Sequence, residues 1–139
     1  MNLLLKVLAF LFTCQSFAIA SVSHVRIECV NGVTPEYKQV TPIKVTLNLD
    51  YAGGPMSGLN GYRGKLNIEM SDQKEISLDV VTNTQWSKIS FWGRNDDLII
   101  LSTYSDLLQN KSLQRNAELR IENSDQWKKT FSLICERLI

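Results

Sequence analysis

Val25-Arg26-Ile27-Glu28-Cys29 and Phe131-Ser132-Leu133-Ile134-Cys135 are the segments that decide how this chain folds. Each alternates apolar and polar residues, the period of a β-strand. Each also carries its cysteine on the apolar side, with Val25 and Ile27 in the first and with Phe131 and Leu133 in the second. Two such strands at opposite ends of a chain, each with an inward thiol, are expected to lie side by side, stapled through Cys29 and Cys135.

The residues before the first strand read as a leader and not as part of the fold. Lys6 precedes the apolar run Val7-Leu8-Ala9-Phe10-Leu11-Phe12, and Ala18-Ile19-Ala20 before Ser21 has the small-x-small pattern that signal peptidase cleaves. Residues 1–20 are therefore read as a signal peptide and 21–139 as a single secreted β domain. Lys6 and Gln15 interrupt the apolar stretch, which falls short of the ~20 residues a membrane span requires. Thr13 stands where a lipidation site wants Gly, Ala or Ser, and Phe12 crowds the position before it, which argues against Cys14 as a lipidated cysteine.

Export changes how the cysteines are read. Of the three, Cys14 leaves with the leader, and the remaining two allow one pairing, in a compartment where disulfides persist. The alternative roles for these thiols, catalysis or metal binding, lack a Cys-x-x-Cys spacing, and a single histidine does not complete a zinc set. Losing Lys6 lowers lysine plus arginine from 15 to 14, equal to the 14 acidic residues. A neutral chain with no basic run longer than Lys128-Lys129 offers no electrostatic case for nucleic acid or an anionic membrane.

Between the terminal segments the alternation recurs. Ile43 to Asp50 places Ile43, Val45, Leu47 and Leu49 on one face, as a half-buried antiparallel strand requires. Lys65–Met70 and Glu75–Val80 form a hairpin across Ser71-Asp72-Gln73-Lys74. Trp86–Trp92, Leu98–Leu101, Ala117–Glu122 and Trp127–Glu136 follow, the run Leu98-Ile99-Ile100-Leu101 reading as a central strand covered on both sides. Ser105 to Ser112 allows one helical turn, with Ser105 as its cap. The expected fold is all-β: an antiparallel β-sandwich or flattened barrel of about eight strands, with one disulfide joining the N- and C-terminal strands.

The chemistry-bearing residue types are sparse. His24 lies at the new amino terminus, a poor mount for a general base. Glu28, Asp50, Glu69, Asp79, Glu118 and Glu122 all fall at outward parity, where pairing with Lys44, Lys65 or Arg120 accounts for them. Asn95-Asp96-Asp97 supplies three adjacent oxygens, without the spacing of a calcium loop. No catalytic residue, metal or cofactor is expected, and the chain is not read as an enzyme. Asn110-Lys111-Ser112 matches the glycosylation acceptor pattern of a eukaryotic secretory pathway.

Two features point to binding. Five of the seven glycines fall between Tyr51 and Gly64, a connection long enough to be a binding loop as well as a plain link between strands. Trp92 falls on the polar side of its strand beside Lys88 and Ser90, so it is either an exposed anchor or a core residue covered by Trp86, Tyr62 or the glycine-rich loop. The binding residues read from the sequence are Tyr51, Met56, Leu59, Tyr62, Arg63, Trp86 and Trp92. In outline, a small β-domain tied between its terminal strands resembles the periplasmic inhibitors of lysozyme, a likeness of architecture with no shared signature. The expected function is a non-enzymatic binding module, secreted or periplasmic, that holds a protein partner, an inhibitor of a secreted hydrolase being one form of it. A carbohydrate or envelope-polymer binding domain using exposed aromatics is the alternative. N-terminal sequencing of the exported protein is expected to begin at Ser21; an intact Met1 would overturn the leader.

Overall fold

The computed structural model describes residues 24–32, 39–53, 58–110, 113–123 and 128–138; the expected leader, Met56, Trp127 and most of the Asn110-Lys111-Ser112 acceptor lie outside them. The alternating segments become eight strands: β1 (His24–Asn31), β2 (Pro42–Tyr51), β3 (Tyr62–Met70), β4 (Glu75–Gln85), β5 (Lys88–Arg94), β6 (Leu98–Tyr104), β7 (Gln114–Glu122) and β8 (Lys128–Arg137). Each pairs antiparallel with the next, and β8 returns to pair with β1, so the sheet closes into an up-and-down barrel. Of the two all-β forms the alternation allows, the chain adopts the barrel.

Closure follows from the pattern in the sequence. One side of every strand is apolar, and an eight-stranded barrel has an interior just wide enough for side chains to fill. Val25, Ile27, Val45, Leu47, Leu49, Leu66, Ile68, Ile89, Phe91, Ile99, Leu101 and Leu119 are all buried there, each contributing about 1.5–3 kcal/mol if it is a Val, Leu, Ile or Phe. The outward positions carry the polar and charged residues, the reverse of the apolar-out arrangement of a lipid-facing barrel. No helix among the described residues is long and apolar enough to cross a membrane. Inward-facing Gly64 and Gly93 mark where neighbouring strands coil closest: a Cβ on Gly64 would run into the Asn48 carbonyl, and one on Gly93 into the Asp79 carbonyl.

The closing ladder runs from Ile27 opposite Arg137 to Asn31 opposite Leu133, with Cys29 directly opposite Cys135. Their α-carbons are 4.0 Å apart, and the disulfide they form is fully buried in the barrel interior. A bond of this kind fits an oxidising compartment outside the cytoplasm.

Four local expectations need correction. A register shift between Pro42 and Lys44 turns Ile43 out of the row of Val45, Leu47 and Leu49 and leaves it exposed. Leu98–Leu101 is not covered on both sides, because a closed barrel has no central strand: Ile99 and Leu101 face the core, while Leu98 and Ile100 are only half-buried on the outside. The helical turn is a 3-10 turn, Ser105–Leu108, whose N-cap is Tyr104, and Ser105 spends its hydroxyl on the Ser87 carbonyl instead. The strand expected from Trp86 begins only at Lys88, Trp86 and Ser87 forming the turn between β4 and β5.

The disulfide spans 106 positions, and cross-linking a loop of that size stabilises the fold by roughly 4–5 kcal/mol in the chain-entropy account. Cys135→Ser is expected to lower the melting temperature by about 10 °C or more. A melting curve that does not move would show that the bond contributes nothing to closure.

Candidate functional site

The described ends of the expected binding loop pack against the barrel core. Tyr51 already belongs to β2 and Tyr62 to β3, and their rings meet edge to face with centroids 5.2 Å apart. A second 3-10 turn, Gly58–Gly61, folds Leu59 against the core. Asn60 Oδ1 accepts from the Thr84 backbone N–H at 2.7 Å, and the Thr82 hydroxyl lies 3.0 Å from the carbonyls of both Leu59 and Tyr62, donating to one at a time. These bonds fasten the described part of the loop to β4. Tyr62 is buried, and burial pushes its phenol above the ordinary tyrosine range, with the nearby Arg137 charge opposing. Tyr51, Leu59 and Tyr62 are therefore packing residues, and Arg63 projects outward from β3.

The tryptophans behave differently. Trp92 faces outward and is 44% exposed, between Val81 on β4 and Ile100 on β6, which settles it as a surface residue and not core. Trp86 is 94% exposed at the tip of the β4–β5 hairpin and adopts a φ of +58°. That region favours glycine, and a bulky side chain held there costs on the order of 1–3 kcal/mol. The hairpin is nonetheless firmly mounted. The Ser87 carbonyl accepts from the Ser105 backbone N–H at 2.8 Å and from the Ser105 hydroxyl at 3.1 Å, tying the turn to the 3-10 segment after β6.

Trp86 overlooks a cleft of about 740 Å³. The cleft exists because the barrel wall splits there. The β6–β7 ladder runs from Leu98 opposite Glu122 only to Ser102 opposite Glu118, and past that point the Thr103 hydroxyl bridges to the Asn116 carbonyl at 3.0 Å. The 3-10 turn that follows β6 buries Leu107 and Leu108 at this end, and the Leu108 carbonyl accepts from Arg137 at 2.7 Å.

Register lays one polar row across the outer wall: Asn83 opposite Ser90, Ser90 opposite Ser102, Ser102 opposite Glu118, and Glu118 opposite Ser132. Five strands contribute, so the row spans four strand spacings, about 19 Å. Ser90 and Ser102 share a hydrogen bond of 3.0 Å. Because the serines are short, this row forms the floor, and Trp86, Lys88 and Tyr104 rise beside it. A second hollow of about 500 Å³ shares Tyr104 and Asn116 with the first and extends to Arg115. There Arg115 grips Asp106 through Nε and Nη2, the latter at 2.7 Å, and holds that carboxyl below the usual carboxylate range.

Met56 lies outside the described residues; of the other six residues read from the sequence, only Trp86 lines the cleft. The polar row was missed because its members lie on five strands, and only the register brings them together. Its sequence trace is a serine or asparagine at an outward position on β4, β5, β6 and β8. The outward carboxylates pair as the alternation implies, Glu28 with Lys44 at 3.5 Å and Asp79 with Lys65 at 4.0 Å. His24 Nδ1 sits 2.9 Å from Asp50 on the β1–β2 surface, outside the residues that line the cleft. Among the described residues no group of three or more His, Cys, Asp or Glu side chains could hold a metal ion. No family model, curated protein or solved structure matches the chain.

Because burial favours the protonated phenol, Tyr62 contributes stability that is intact below the ordinary tyrosine range, near ~10, and lost as pH rises through its elevated folded-state value. In an ultraviolet titration, Tyr62→Phe is expected to remove a phenol that ionises above the ordinary tyrosine range. An unchanged alkaline tail would place Tyr62 in solvent.

Proposed function

We propose that this protein is a non-enzymatic binding module, exported to the periplasm or beyond the cell, whose ligand seats in the cleft beneath Trp86. One observation carries the reading: a tryptophan held at positive φ with nearly its whole side chain in water, on a hairpin fixed by two hydrogen bonds. The two-residue turn between Gln85 and Lys88 calls for positive φ at its first position, but folding gains nothing from placing an indole there, since it buries almost no surface and glycine would suit the angle better. Strain that persists in a braced turn beside a cleft is the pattern of a preorganised contact residue.

The proposal keeps a binding module and moves its surface to the wall from β4 to β8, in place of the Tyr51 to Gly64 loop. Lys88 and Glu118 are the titratable groups reaching the cleft from different strands besides Tyr104. The one imidazole of the chain is engaged with Asp50. These placements favour binding over catalysis.

Photocrosslinking tests the surface. A benzophenone side chain at Ser87, with Trp86 retained, is expected to capture a defined envelope component in the producing cells, and one at Lys65 on β3 is expected to capture none. Adding Trp86→Gly to the Ser87 probe is expected to abolish capture without lowering the melting temperature, because glycine relieves the positive φ. Equal capture from both positions, or capture that survives Trp86→Gly, would overturn the assignment of the surface.

A further inference from the structure

We infer that the ligand of this cleft is a carbohydrate chain, lying along the groove from Trp86 past Tyr104 and Asn116 toward Arg115. This rests on the binding surface proposed above and adds the chemistry of what it holds.

The floor decides the class. A protein anchor is held in a desolvated, largely apolar pocket. Here the floor consists of Asn83, Ser102 and Glu118 with their serine neighbours, a row of hydroxyl, carboxamide and carboxylate groups. Covering that row with an apolar surface would strip water from each polar atom without replacing its hydrogen bonds, at about 1–3 kcal/mol apiece. A sugar ring offers several hydroxyls on its edge, each able to donate to Glu118 or the Asn83 oxygen and to accept from a serine or from the Asn83 amide. Its other surface is a face of C–H groups, which suits the flat apolar body of an indole.

The rim supplies that second requirement twice. Trp86 stands wholly exposed on one flank, and Tyr104, 42% exposed, sits where the two hollows meet. Two aromatic faces along a continuous groove suit a chain of rings and exceed what one monosaccharide needs. The larger hollow, at about 740 Å³, is itself in the upper part of the ~300–1,000 Å³ range of small-molecule sites. Lys88 and Glu118 bring one charge of each sign to it, so its charge calls for no strongly ionic ligand.

Isothermal titration of the oxidised, exported protein with chitotetraose, cellotetraose and a uronic-acid tetrasaccharide tests the inference, with tryptophan fluorescence recorded in a Trp92→Phe background. At least one of the three is expected to bind saturably and to shift the Trp86 emission. Trp86→Gly is expected to weaken binding by about tenfold or more, and Glu118→Gln by a smaller factor, while Trp92→Phe leaves affinity unchanged. No saturable binding of any of the three, with the Ser87 crosslink still capturing a protein, overturns the carbohydrate and leaves the binding surface standing. Failure of both the titration and the crosslink removes the surface and its ligand together. Sugar binding that is indifferent to Trp86→Gly places the carbohydrate elsewhere and overturns the inference.

Discussion

The pairing of β1 with β8 is the constraint on which the rest of this structure depends. A meander of eight strands has two free edges, each a row of unsatisfied backbone groups open to association with other chains. Bringing the edges together satisfies both at once and converts an open sheet into a wall around an apolar interior. The segments that must meet are the most distant in the sequence, so their encounter carries the largest loop-closure cost of any pairing in the chain. Cys29 and Cys135 lie directly opposite each other in that ladder, and their bond removes much of this cost from the unfolded ensemble.

Closure also fixes where the wall is weak. The interior is filled by branched and aromatic side chains from every strand, and Gly64 and Gly93 let neighbouring backbones approach where the coil is tightest. At one end β6 and β7 cease to pair beyond Ser102 and Glu118. The 3-10 turn after β6 plugs the interior with Leu107 and Leu108, and Arg137 ties it to β8 through the Leu108 carbonyl. On the outside the same split leaves a hollow floored by short side chains. The device that completes the core at this end thus also shapes the surface read as a binding site.

The two ends of the glycine-rich connection and the β4–β5 hairpin use aromatic residues in opposite ways. Tyr51 and Tyr62 meet edge to face, and Tyr62 lies in the core, where its hydroxyl is shifted by burial; both help to finish the barrel. Trp86 does nothing for the core and holds a backbone angle that favours glycine, yet Ser105 braces its turn. A rigid mount reduces the ordering cost on binding, which is why an exposed, strained and well-supported indole is informative where an exposed indole on a loose loop would not be.

Period-two alternation marked seven of the eight strands and an unbroken apolar run marked β6, and the even cysteine count after the expected leader marked their tie, because strand pattern and disulfide pairing are local or countable properties of a chain. The outward parity of the carboxylates was legible on the same ground; for Trp92 the sequence left exposure and burial both open, and the structure places it on the surface. What the alternation left open was whether the sheet would close or fold into two layers, since both bury one face of every strand. The proposed binding surface was hidden for a related reason: Asn83, Ser90, Ser102, Glu118 and Ser132 are unremarkable in five separate strands and become one row only through the register that closure imposes. Trp86 read as the start of a strand, because its composition does not reveal that Gln85 and Lys88 pair across it. Local pattern determined what each segment is; only the tertiary pairing decided which side chains face the same water, because that depends on strand register, which no single segment encodes.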